Sequence, residues 1–421
     1  MEQAVELARA GTRRLPGPTS GYTKRVMRVA PTQSTAVSSR IDALDRLRGA
    51  ALVGMLVHHF VGWLTGGDAR AVIPGWPSFA ITDTAAPAFF VAAGMSTALF
   101  VASRRRRAVS RPRVGAQILR RYGLLVPLGM GLRWVLWRSP FGFGVLEALG
   151  LAVLAAAAIV LIVPRRLAWA SAVAMLMVGV LAERASQGQH DWVALQLVGG
   201  KFPAVTYVGF VLVGMAVVQS GRYTDRRWVA GAALVAILAV VALLIDGIVP
   251  DRYPGDLPFV VPGLAGTILV YALGQYRWPP LLAPVDRLLR AAAAHTLGIF
   301  LFHYALYAAL RQAGVNGTVG HLFAVPAAVG LTVALCVIAP FVPQLPWSLR
   351  TGRRQHPAGG QRTVLAVRSR PEPLSPVGEQ DAVSEEDAAG EEDAADEVGA
   401  SPGAIDRGAH RVTGEVPGEN Q

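Results

Sequence analysis

The sequence predicts an all-α polytopic membrane protein with about ten transmembrane helices. Of the 421 residues, 52% are hydrophobic and only 16% are charged, whereas an average soluble domain has about 25% charged residues. Long apolar stretches recur between residues 44 and 347, and each is close to the roughly 20 residues that cross a bilayer. The single cysteine, Cys336, excludes an internal disulfide. A lipid bilayer is therefore the first expected partner.

Charged loops separate the predicted spans and orient them. Loops after the second, fourth, sixth, eighth and tenth spans contain clusters of arginine, whereas the alternate loops contain few basic residues. Because basic loops stay on the cytoplasmic side, we expect both termini to be cytoplasmic. The predicted spans cover residues 44–64, 79–101, 115–136, 142–163, 168–183, 204–219, 228–247, 258–275, 292–311 and 319–343.

Composition divides the chain into three parts. Residues 1–40 are basic and polar and are predicted to be disordered, whereas residues 41–347 form the membrane domain. Residues 348–421 contain the acidic run EEDAAGEEDAADE, which cannot bury a core and predicts a disordered cytoplasmic tail. The net charge of +12 is spread over short loops, so it does not indicate nucleic-acid binding. The strong preference for arginine over lysine suggests a GC-rich bacterial genome and hence a bacterial plasma membrane.

The first predicted span, LRGAALVGMLVHHF, contains three residues that an ordinary membrane helix does not need. A charged side chain in the hydrocarbon costs at least about 2.5 kcal/mol, so each one needs a reason. Arg48 and His59 are eleven residues apart, which places them on one helix face about 16 Å apart. Asp45 lies one turn before Arg48 on that face, whereas His58 points elsewhere and suits packing. An alternative is that Arg48 only reaches the inner phosphates.

Three more titratable residues are predicted to lie at the depth of His59. Asp83 opens the second span, Glu147 opens the fourth, and His303 lies in the outer half of the ninth. A carboxylate beside an imidazole fixes its tautomer and raises its basicity, as proton transfer requires. These four residues are the candidate catalytic group. The alternative is a structural polar cluster that holds the spans together.

An ordered series of motifs resembles the transmembrane acyltransferases, in particular the heparan-α-glucosaminide N-acetyltransferase-like branch. RIDALDRLRGAALVGMLVHHF is followed by TDTAAPAFFVAAGMS, FGVLEALGLA, GGKFPAVTYVGFVLVGMAV and HTLGIFLFHYALY. The similarity extends over roughly residues 40–310. It implies transfer of an acyl group, most simply acetyl, from cytoplasmic acyl-CoA to a sugar, glycolipid or other acceptor on the outer side. No metal is implied.

The resemblance also implies roles for individual residues. Related bacterial O-acyltransferases share an arginine and a histidine at the spacing of Arg48 and His59, which implies Arg48 near the CoA phosphates and His59 at the reacting groups. Asp83 matches the family's aspartate of the second span. On the basic face, we expect Arg120 and Arg121 to help bind the phosphates.

One departure from the family concerns the first outer loop. The lysosomal enzymes place a catalytic histidine there, just before a tryptophan that Trp76 matches. Residues 65–82 contain no histidine, and Ile73 stands near that place. His59 is then expected to take over the role, or the chain is not catalytically equivalent.

Two other classes of function stay open at this point. A transporter or lipid flippase would use the buried polar cluster as a substrate or proton path, but its usual internal repeat is not evident between the two halves of the chain. A non-catalytic envelope protein would instead act through its acidic tail.

Overall fold

The computed structural model describes residues 32–67, 69–72, 84–138, 144–185, 202–248 and 257–341, with side chains from Asp42 onward. Within these ranges the chain is helical and contains no strand. The helices are α1 (Thr32–Thr65), α2 (Ala69–Val72), α3 (Ala85–Arg106), α4 (Arg111–Tyr122), α5 (Leu125–Trp137), α6 (Val145–Ile162), α7 (Ala168–Ala185), α8 (Ala204–Gln219), α9 (Arg226–Ile245), α10 (Leu257–Gly274), α11 (Ala283–Ala294), α12 (Thr296–Gln312) and α13 (His321–Ile338).

Helix α1 belongs to two separate hydrophobic cores. Its first half, up to Ala51, packs in a core with residues of α3, α4, α6, α7, α8 and α10. Its second half, from Leu52 to Leu64, packs in another core with residues of α11, α12 and α13. The α1 helix therefore joins the two parts of the bundle, and its functional candidates lie along that junction.

The first core depends on close approach of α3 and α8. A Cβ added to Gly94 of α3 would lie 2.0 Å from the carbonyl oxygen of Val211, and one added to Gly214 of α8 would lie 2.1 Å from that of Val91. Only glycine permits backbones to approach this closely. Gly94 and Gly214, and Gly209 against Leu176, are thus packing residues.

The second core contains a sharp bend. Helices α11 and α12 meet at His295, and the segments Pro280–Ala294 and Thr296–Gln312 form an angle of 89°. The predicted ninth span, residues 292–311, therefore begins at Thr296 rather than before the bend. The α11 helix lies against α1, where a Cβ on Gly49 would lie 2.0 Å from the carbonyl oxygen of Leu289.

An all-helical bundle with several candidate membrane spans is confirmed, whereas the number ten stays a prediction. Seven described helices are long and apolar enough to cross a membrane, or eight when the bent pair counts as one span. The predicted sixth span is a helix of only 16 residues, α8. Cytoplasmic placement of the two termini also stays a prediction, and residues 1–31 and 342–421 lie outside the described residues.

The predicted third span, residues 115–136, needs correction because it contains two helices of different character. In α4 the buried residues Val114, Ile118 and Tyr122 recur every four positions, while its arginines are exposed. This amphipathic pattern is typical of a helix lying at a membrane surface. The apolar residues of α5 had masked the boundary between the two helices.

Candidate active site

Two histidines from distant parts of the chain meet where the two cores adjoin. The Nδ1 atom of His59 on α1 lies 3.1 Å from the Nε2 atom of His303 on α12, within hydrogen-bond distance. The two rings are nearly parallel, with centroids 5.3 Å apart. His303 is fully buried, whereas His59 is only half-buried. The sequence predicted that both lie in the outer half of the membrane, and the structure brings them into contact.

A backbone carbonyl of α12 determines which ring nitrogen of His303 carries the proton. The Nδ1 atom of His303 is hydrogen-bonded to the carbonyl oxygen of Phe300. A carbonyl oxygen only accepts, so Nδ1 of His303 carries the proton. Burial favours the neutral form of an imidazole. In a neutral ring with its proton on Nδ1, the Nε2 atom has a lone pair that can accept a hydrogen bond. His303 therefore accepts a hydrogen bond from Nδ1–H of His59.

This arrangement determines which ring nitrogen of His59 carries the proton. With its proton on Nδ1, a neutral His59 has an unprotonated Nε2 atom. The ring is half-buried, so it is less enclosed than that of His303. One imidazole thus sets the tautomer of the other, a role that a carboxylate has in many hydrolases.

Aromatic rings surround the histidine pair. The ring of Trp63 is stacked on those of His59 and His303, with both centroid distances 5.5 Å, and on Tyr307 at 4.1 Å. The ring centroid of Tyr304 lies 4.0 Å from that of His303. Such packing restricts the imidazoles to one orientation. Trp63, Tyr304 and Tyr307 were not predicted as site residues, although Trp63 lies one helical turn after His59.

The structure does not bring Glu147 to the histidines through any described contact. Glu147 is buried at the start of α6, where it accepts a hydrogen bond from the backbone N–H of Gly144 at 3.2 Å. Its carboxylate lies 3.7 Å from Nε of Arg133 on α5. These are the contacts of a helix cap with an adjacent cation. Its catalytic role stays a prediction, and Asp83 lies outside the described residues, as does Trp76.

The three arginines predicted to bind CoA are Arg48 on α1 and Arg120 and Arg121 on α4. Arg48 is half-exposed and lies 3.5 Å from the carboxylate of Asp45, the partner that the sequence suggested. Tyr122 and Arg121 are near enough to interact with it electrostatically. Both Arg120 and Arg121 are exposed on α4. Whether these three bind CoA stays a prediction.

A neighbouring arginine, Arg46, has more described contacts than Arg48. Its Nε atom donates to Asp286 at 2.6 Å, and its Nη1 atom donates to the carbonyl oxygens of Gly274 and Tyr276. Its guanidinium also lies over the ring of Trp278. Sequence reasoning missed this residue because its partner is 240 positions away, and only a search for a carboxylate in a distant helix would have found it.

The fold and the histidine pair define a class: multi-pass helical membrane proteins with paired imidazoles inside the bundle. Residues 40–247 match the family model described as heparan-alpha-glucosaminide N-acetyltransferase, catalytic. This part of the chain therefore belongs to the heparan-α-glucosaminide N-acetyltransferase-like branch of the transmembrane acyltransferases, as the ordered motifs indicated. No curated protein matches the sequence significantly.

Proposed function

We propose that the protein transfers an acyl group, most simply acetyl, from acyl-CoA to a sugar or other acceptor of the cell envelope. The family assignment supports an acetyltransferase. The observation that carries the proposal is the hydrogen bond between Nδ1 of His59 and Nε2 of His303, because it holds the ring in place with its proton on Nδ1 and so makes Nε2 the basic nitrogen.

The proposed reaction needs one proton acceptor near the thioester. Nε2 of His59 takes a proton from the acceptor's amine or hydroxyl group as its nitrogen or oxygen attacks the carbonyl carbon of the thioester. The carbon–sulfur bond breaks, and the CoA thiolate leaves and receives the proton from Nε2. In between, His59 is an imidazolium whose Nδ1–H bond to His303 is charge-assisted and therefore stronger. Direct attack by Nε2 to form an acyl-imidazole stays open.

Arg48 is proposed to act on the donor. Its guanidinium is half-exposed and lies on the α1 face of His59, so a donor that contacts Arg48 would have its thioester arm directed along the helix. The outer side of the membrane is the proposed location of the acceptor, and the arginine-rich loops are proposed to face the cytoplasm, where acyl-CoA is available.

The family description suggests the first acceptor to test. A heparan-alpha-glucosaminide N-acetyltransferase acetylates the amine of a glucosamine unit, so we propose that an amino sugar is the simplest acceptor. A hydroxyl acceptor would use the same base at His59, since an imidazole can deprotonate either group as attack proceeds.

The test measures transfer of radiolabelled acetyl from acetyl-CoA to glucosamine by the purified protein in nanodiscs. His59→Ala should lower the rate by about 10²–10⁴-fold, the usual contribution of a general base. The matched control is His58→Ala, which removes the adjacent half-buried imidazole and should leave most of the rate. A His59→Ala protein that turns over normally would exclude the assignment of the base. Equal losses in both variants would indicate a structural role.

A further inference from the structure

A basic cleft opens at the end of the bundle where α3, α6 and α8 end. It consists of two adjoining cavities that share Ala102, Arg105, Arg165 and Val218 as lining residues. The cleft lies away from the histidine pair and involves none of the arginines that the sequence singled out as ligands. These loops are the ones predicted to face the cytoplasm.

The cavity that Tyr223 and Thr224 help to line is called the outer cavity because it is the more open of the two, and the other is called the inner cavity. The outer cavity has the size and charge of a site for a phosphorylated ligand. Its volume is about 560 Å³, within the range of about 300–1,000 Å³ that is usual for small-molecule sites. Arg105, Arg106 and Arg165 line it. Its rim is held in place because Tyr271 Oη and Gln275 Nε2 donate to the carbonyl oxygen of Tyr223 at 2.9 and 2.8 Å.

The inner cavity is narrower and mostly apolar. Its volume is about 130 Å³, and Val101, Val160, Leu161 and Val218 are among its lining residues. Its small volume and apolar lining suit an uncharged, extended part of a ligand. A ligand that fills both cavities therefore combines a charged head with a less polar arm.

The arginines of the cleft repel one another. The charges of Arg165 and Arg111 act on Arg105, and within the described ranges neither Arg105 nor Arg165 forms an ion pair with a carboxylate. A phosphate bound between them would relieve this repulsion and accept paired guanidinium hydrogen bonds.

We propose that this cleft binds the phosphate groups of an acyl-CoA-type donor, with Arg105 and Arg165 as the principal ligands. The inference rests on the proposed function. At the inner end of the cleft, Thr97 donates a hydrogen bond to Tyr122 Oη at 3.2 Å, and Tyr122 interacts electrostatically with Arg48. The donor's nucleotide end thus occupies the outer cavity, and its less polar arm occupies the inner one.

The test uses the full-length protein in nanodiscs of neutral phosphatidylcholine and measures CoA binding by calorimetry. Arg105→Gln and Arg165→Gln should each raise the Kd for CoA at least about tenfold, as expected for loss of a charge-assisted pair. The matched control is Arg166→Gln, which removes an adjacent exposed arginine that does not line the cleft. Its Kd should be that of the wild type. Thermal unfolding shows whether each variant is folded. Because Arg165 is exposed, its replacement should not affect folding.

The outcomes separate this proposal from the proposed function. Unchanged CoA binding in both cleft variants, with acetyl transfer still dependent on His59, would overturn the cleft and leave the reaction in place. Absence of CoA binding by the wild type would overturn both. A third arm adds phosphatidylglycerol and follows retained lipid by native mass spectrometry. Loss of that lipid, but not of CoA, from the cleft variants would identify a headgroup site and overturn the proposal.

Discussion

The glycine-mediated packing of α3 on α8 and the histidine pair involve different helices of the bundle. The contact between α3 and α8 lies in the first core and depends on backbone approach at Gly94 and Gly214. The buried His303 of α12 instead lies where the two cores meet, with aromatic rings of both cores against its imidazole. The α3–α8 contact lies within residues 40–247, which match the family, whereas α12 comes after them. Tight backbone packing and candidate chemistry are thus located on different helices.

The position of α1 between the two cores explains why it carries charged and titratable residues that are costly to place in a membrane. One half of the helix is fixed in the rigid core, which limits where His59 can lie in the other half. A base must be held close to its productive position by a rigid scaffold. Substitutions at the glycine contacts between α3 and α8 should therefore prevent folding, and substitutions of the histidine pair should affect turnover while the protein stays folded.

The largest effect is expected where two backbones touch. Gly94→Val places a Cβ atom 2.0 Å from the carbonyl oxygen of Val211, and α3 cannot withdraw without opening the core. Overpacking costs typically about 1–3 kcal/mol where side chains can adjust and more where they cannot. We expect little monodisperse protein on gel filtration. The control is Gly330→Val on α13, where nothing lies within 4 Å of the added Cβ. Poor recovery of both variants would show that the α3–α8 contact is no more sensitive to an added side chain than an open position.

The next effect concerns the link between α1 and α11. Arg46→Met leaves Asp286 buried without one of its cations, and breaking a buried ion pair costs about 3–5 kcal/mol. The free energy of unfolding in an SDS titration should fall by that amount. Arg48→Met breaks a half-exposed pair with Asp45 and should cost no more than about 1 kcal/mol. Equal losses for the two variants would contradict the description of Arg46 as the structural arginine.

A smaller effect, on turnover rather than stability, is expected for His303. It acts as a positioning residue, so His303→Ala should lower acetyl transfer by about 10²-fold through loss of the His59 tautomer. His303→Gln offers a side-chain oxygen that accepts from Nδ1–H of His59, and it should recover part of the rate. The control is His321→Ala, at an exposed position. If glutamine and alanine variants were equally slow, the hydrogen bond would not be the cause.

The shared level of His59 and His303 along the bundle was predictable from the sequence, but the lateral positions of the helices were not. The alternation of loop charge and the helical spacing placed His59 and His303 at one depth, and these two meet. Glu147 was assigned to the same depth, yet it caps α6 beside Arg133, because depth alone does not tell which helices are neighbours.

Arg46 illustrates the other limit. Helical spacing from His59 selected Arg48, since a periodicity compares residues only within one helix. The hydrogen-bond partners of Arg46 come from α11 and from the end of α10. No local sequence pattern predicts a contact between residues 240 positions apart. The amphipathic α4 was missed for a third reason: an average over a long window merges a polar helix with its apolar neighbour.

The most direct test of the central claim is the tautomer of His59, measured by ¹⁵N NMR on protein labelled only at histidine. The eight histidines are few enough to assign by single substitutions. The signals lost in His59→Ala should show a protonated Nδ1 and an unprotonated Nε2, and His303→Ala should shift this ring toward the other tautomer. A wild-type His59 protonated at Nε2, or unaffected by removal of His303, would contradict the assignment of Nε2 as the positioned base.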